Sequence, residues 1–144
     1  MTLAEKTLPP DFVIAETLAA AIRAHRKEGK LPCASAFAIA RTHNVTPLLA
    51  GQTADVLQIH LTRCQLGLFG YPGHAKGWDA AKIAGRAIPE GLEEAIRAAV
   101  DSDGNFACVK AWEIAARFGI PKMQVAYVAD QMGIRFSPCQ LGAF

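Results

Sequence analysis

Cys64-Gln65-Leu66-Gly67-Leu68-Phe69 returns later in the chain as Cys139-Gln140-Leu141-Gly142-Ala143-Phe144. The offset is 75 residues, and it holds without a gap well upstream: Cys33 meets Cys108, Ala36 meets Ala111, and Ile39-Ala40 meets Ile114-Ala115. Ala54-Asp55 meets Ala129-Asp130, and Ile59 meets Ile134. With one residue inserted in the second copy, Leu18-x-x-Ala21-Ile22-Arg23-Ala24 meets Leu92-x-x-Ala95-Ile96-Arg97-Ala98. Self-similarity at a fixed period has to be found before any other reading, because it changes what the length means. This chain is two copies of one small module.

At 144 residues, the duplication implies two modules of about 60–70 residues each, with cores that are marginal alone and are expected to pack together. An apolar content of 51% supplies a folded interior and argues against disorder. No apolar run approaches the roughly 18–20 residues of a membrane span. Met1-Thr2-Leu3-Ala4-Glu5-Lys6 lacks the basic start and apolar core of a signal peptide, so a cytoplasmic location without a membrane partner is expected. The net charge of +2 neither demands nor excludes a polyanionic partner.

Pro9-Pro10 and Asp11 open a first helix running from Phe12 to about Lys27, which Glu28-Gly29 stops. Lys30-Leu31-Pro32 is a short extended link, since Pro32 moves Leu31 away from helical angles. A second helix is predicted over Cys33–His43. Asn44 then tolerates a positive φ, and Thr46 caps a third helix with Pro47 at its first position. Gln58-Ile59-His60-Leu61 alternates polar and apolar as a strand does, and Cys64–Phe69 is expected to return against it as a hairpin. Gly70–Gly77 reads as a loop, and Trp78 with Asp79–Gly85 as a short helix.

The second copy repeats the order: a helix from Ile88-Pro89-Glu90 to Val100, a turn at Asp101–Gly104, helices at Cys108–Phe118 and Lys122–Met132, then a second hairpin. The expected domains are residues 1–70 and 88–144, joined by a linker and short helix over 71–87. Helix, extended piece, helix, turn, helix and hairpin follow one another as in a winged-helix module. The expected fold is therefore mainly α with short β-hairpins, as two tandem winged-helix-like repeats packed together.

Within Ala111–Asp130, Ala115 is small where two helices would cross. Gly119 follows four residues on and accepts a positive φ, and Val125 supplies an apolar anchor. Ile114, Phe118, Ile120 and Val128 fill the remaining apolar positions. In these residues the chain resembles the helix-turn-helix family of transcription regulators. The first copy carries the same pattern more loosely in Ala40, Asn44, Val45, Ala50 and Thr53. The resemblance spans roughly residues 28–69 and 103–144, and the Cys-Gln-Leu-Gly-x-Phe segment is no part of that family's general pattern.

The resemblance implies a DNA-binding transcriptional regulator whose second motif helix enters the major groove of double-stranded DNA. In the second copy the outward positions become Lys122, Met123, Gln124, Ala126 and Tyr127. Lys122, Gln124 and Tyr127 are the candidate base contacts, with Lys110, Arg117 and Arg135 for phosphates. The first copy offers Pro47, Leu48, Leu49, Gly51 and Gln52, a face with no charge. That face fits an interface better than a groove. A protein-interaction or homodimerisation module without DNA binding is the alternative, because fold alone does not assign function.

The wing of such a module would bring Cys33 toward Cys64 and Cys108 toward Cys139. These thiols read as buried small hydrophobes, as metal ligands, or as a reversible thiol sensor, and no Cys-x-x-Cys spacing selects the metal. No cofactor is expected. No nucleophile has a base at recognisable spacing, and Gly70-x-x-Gly73-x-x-x-Gly77 lacks the ending of a phosphate loop, so no enzyme is expected either.

Overall fold

The computed structural model describes residues 14–144. The first repeat contains α1 (Glu16–His25), β1 (Lys30–Pro32), α2 (Cys33–Thr42), α3 (Pro47–Val56) and β2 (His60–Thr62). A short helix, α4 (Ala80–Ala84), follows. The second repeat contains α5 (Leu92–Ala99), β3 (Asn105–Phe106), α6 (Cys108–Phe118), α7 (Lys122–Gln131) and β4 (Arg135–Phe136). The chain is mainly helical with a few short strands, and the order helix, strand, helix, helix, strand occurs twice. No helix among the described residues is long and apolar enough to cross a membrane. The expected cap at Asp11 and helix start at Phe12 lie outside the described residues.

Local chemistry sets the helix boundaries. The Thr46 hydroxyl accepts a hydrogen bond from the Leu49 amide at 3.1 Å, with Pro47 at the first helical position. Asp79 caps α4 by accepting from the amides of Ala81 and Lys82. Four of the C-terminal ends share one device, the Schellman closure. After α3, the Ile59 amide donates to the Ala54 carbonyl and Gln58 to Asp55; after α7, Ile134 donates to Ala129 and Gly133 to Asp130. The same pair of bonds closes α2 through Val45 and Asn44, and α6 through Ile120 and Gly119. The residue at the turn is left-handed each time: Asn44 at φ 53°, Gln58 at 59°, Gly119 at 66° and Gly133 at 75°.

The expected hairpins do not form. β1 pairs with β2 in parallel, Lys30 opposite His60 and Pro32 opposite Thr62, and β3 pairs with β4 in parallel, Asn105 opposite Arg135. The extended link therefore pairs with the strand leaving the third helix, not with Cys64–Phe69. Two helices make the crossover that parallel strands require. Residues 64–69 cannot return as a strand because Arg63 at φ 47° and Gly67 at φ 80° bend the chain into turns. No antiparallel wing is present among the described residues.

The chain divides into two compact units, and they do not end where the repeats end. One comprises the described residues up to Cys64 together with Gln140–Phe144; the other is Gln65–Cys139. Each unit thus holds the five elements of its own repeat plus the Gln-Leu-Gly-x-Phe portion of the other repeat, and α4 falls in the second unit. In the first unit Leu18, Ile22, Leu31, Ala36, Ala50 and Ala54 are buried, and Leu141 joins them at 2% exposure. In the second, Leu92, Ile96, Phe106, Val125 and Ala129 are buried, and Leu66 is fully enclosed with them. Burying each leucine contributes about 2–3 kcal/mol.

Candidate functional site: the third helix of each repeat

The candidate base-contacting residues sit at the start of α7, and none of them projects freely into solvent. Met123 packs 3.4 Å from the position a side chain would take at Gly67, so residues 65–69 lie against this turn of the helix. The Lys122 ammonium lies 3.8 Å from the centroid of the Trp112 ring, and its Nζ donates to the Gln65 Oε1 at 3.4 Å. Cation–aromatic contact of this kind holds the charge against the protein surface.

Gln124 is buried at 5% exposure, and its amide nitrogen donates to the Ala87 carbonyl at 3.3 Å. Ala126 is fully buried, and Tyr127 packs its ring 5.9 Å from that of Trp78. Gln124 and Tyr127, expected as base contacts, thus pack within the second unit. The physical reason is the stretch from Trp78 to Ile88, which folds over α7. Between this stretch and α7 remains a cavity of about 260 Å³, lined by Ile83, Ile88, Tyr127, Val128 and Met132, with Gln124 at its wall.

The candidate phosphate contacts are on the surface but are not bare. Lys110 pairs with Glu113 at 3.8 Å, and the Arg117 guanidinium lies 5.5 Å from the Phe118 ring centroid. Arg135 donates from Nε to the Asn105 Oδ1 at 2.8 Å, tying the two paired strands together. Lys110 and Arg117 share one groove, with the Glu113 carboxylate beside them. Exposed pairs of this type contribute at most about 1 kcal/mol.

In the first unit, α3 presents the corresponding face to residues 140–144. Gly51 is buried, and a Cβ built there would collide with the Leu141 carbonyl oxygen. Gly142, at φ 80°, lies 3.0 Å from the Leu48 Cδ1 when measured from its own would-be Cβ. Leu48 stays 46% exposed, on the outer edge of this contact. The equivalence is close: Gly142 against Leu48 in one unit matches Gly67 against Met123 in the other, each displaced by 75 residues.

The cysteines lie where the parallel register puts them. Cys33 follows β1 and Cys64 follows β2 at the same end of that ribbon, and the Cys108 amide donates to the Pro138 carbonyl at 3.0 Å, next to Cys139. Cys33, Cys64 and Cys108 are buried, Cys139 is half-buried, and no disulfide joins them. No three His, Cys, Asp or Glu side chains among the described residues gather as metal ligands.

Sequence reasoning found α3 and α7 as the elements to inspect, but missed their occupants. The signal was the hexapeptide itself, whose repetition marks a segment with a specific seat in both copies. Compared with protein-family models, curated proteins and solved structures, the chain matches none of them.

Proposed function

We propose that this chain is a protein-docking module in which the third helix of each repeat receives a turn-forming Leu-Gly-x-Phe segment, and that it does not read duplex DNA. One observation carries this reading. The five positions of α7 that a groove-reading helix would turn outward, residues 122, 123, 124, 126 and 127, are all buried or half-buried under the chain's own segments. Base readout needs side chains free to reach the edges of base pairs. Here Gln124 is spent on a backbone carbonyl and Tyr127 on a tryptophan.

Each repeat keeps the turn chemistry of a helix-turn-helix pair, with Asn44 and Gly119 at left-handed φ between its two helices. We read the repeats as helix-turn-helix units closed by a parallel strand in place of a wing. Such a pair serves docking as readily as DNA binding. The DNA reading keeps one support, the groove that carries Lys110 and Arg117, but Glu113 in the same groove opposes phosphate.

Fluorescence anisotropy of mixed-sequence duplex DNA, titrated at low and at physiological salt, tests the choice. Non-specific phosphate attraction is strongest at low salt. No binding there is expected. Binding that falls steeply with salt and weakens in Lys122→Ala would overturn the docking reading.

A further inference from the structure

Unit 1 is completed by residues that reach it only after the chain has run through the whole of unit 2. The contacts that hold those residues, Gln140–Phe144, include a buried leucine, a left-handed glycine and close approach to a glycine of α3, and none of these three requires covalent continuity with the receiving unit. The parent chain also contains a second segment of nearly the same sequence, since five of the six residues in Cys64–Phe69 and Cys139–Phe144 are identical. A seat that accepts an element through such contacts accepts an identical element from another molecule equally well, and this is the low-cost route by which elements exchange between copies.

From this geometry we infer that the α3 face of unit 1, centred on Leu48 and Gly51, is a receptor site for residues 140–144 of a second copy of this chain. Copies then associate by exchanging that segment. The inference rests on the docking reading and names its partner. Within one molecule the chain's own segment competes at high effective concentration, so the free receptor is a small fraction of the whole, and apparent affinity for an added segment is reduced by that fraction.

Two full-length variants separate seat from segment. Leu141→Asp puts a charge into a position that is 2% exposed, so the segment is expelled and the seat is left open. Gly51→Leu places a side chain where the Leu141 backbone lies, so the seat is blocked and a normal segment is released.

A labelled peptide with the sequence of residues 137–144 should bind Leu141→Asp saturably in anisotropy, at least about tenfold more tightly than it binds the parent chain. It should not bind Gly51→Leu. Mixing the two variants should give a heterodimer in analytical ultracentrifugation that neither forms alone. Should Leu141→Asp lose helical circular dichroism, excess peptide should restore it, and Gly142→Val provides a second vacated seat. Failure of the peptide either to bind or to restore helix, together with no heterodimer, overturns the exchange. That failure without DNA binding leaves the docking reading standing, whereas salt-sensitive DNA binding removes both.

Discussion

Replacing a glycine within a helix by alanine ordinarily stabilises a protein by about 1 kcal/mol, because it restricts the unfolded chain and removes a poor helix former. At position 51 the sign should reverse. A methyl group there meets the carbonyl of Leu141, and backbone can only move as a unit. Unit 2 shows what the movement would be: Ala126 stands at the corresponding position, fully buried, so the segment there accommodates the extra carbon. Gly51→Ala is therefore expected to lower stability by about 1–3 kcal/mol, the usual range for overpacking. Urea denaturation would read it as a lower midpoint at unchanged slope. A midpoint equal to or above that of the parent chain would show that residues 140–144 do not press on α3.

At the scale of the elements, the Schellman closures make the most direct comparison, since four helix ends solve one problem with different residues. Gly119 has nothing within 4 Å of a would-be Cβ, so substitution there tests backbone conformation alone. Gly119→Asn should be near neutral, because Asn44 already adopts this conformation in the other repeat; Gly119→Val should cost about 1–2 kcal/mol. The converse change, Gln58→Gly, relieves a side chain at φ 59° and should raise the thermal midpoint slightly, with Gly133 as its natural counterpart.

The ends at Asn44, Gly119 and Gly133 were legible in the sequence, as glycine, asparagine and Thr46-Pro47 signals act within a few residues, whereas Gln58 read as the start of a strand. The third helices, their boundaries and the extended link were found for the same reason. Two things were not. The alternation in Gln58–Leu61 announces a strand but carries no direction, so a parallel partner thirty residues away looked like a neighbouring hairpin. Helical spacing likewise marks which face of α7 is less apolar. It cannot reveal that Trp78 and Ala87, more than thirty positions upstream, return to cover that face.

At the scale of the whole molecule, the division of the chain makes a claim that no single repeat could reveal. Leu66 belongs by sequence to the first repeat and by packing to unit 2; Leu141 belongs by sequence to the second repeat and by packing to unit 1. Replacing either by aspartate buries a charge without a partner, and that cost, several kcal/mol, falls on whichever unit holds the site. Hydrogen exchange measured by peptide resolves the two alternatives, because amide protection reports the opening of each cooperative region separately. Leu141→Asp should speed exchange in α1, α2 and α3 while sparing α5 and α6, and Leu66→Asp should do the opposite. If each substitution instead loosens the helices of its own repeat, the segments seat where ordinary chain order would put them. If the pattern crosses, the two repeats are completed by one another, and neither half of this chain is a folding unit that can be cut out with its own hexapeptide attached.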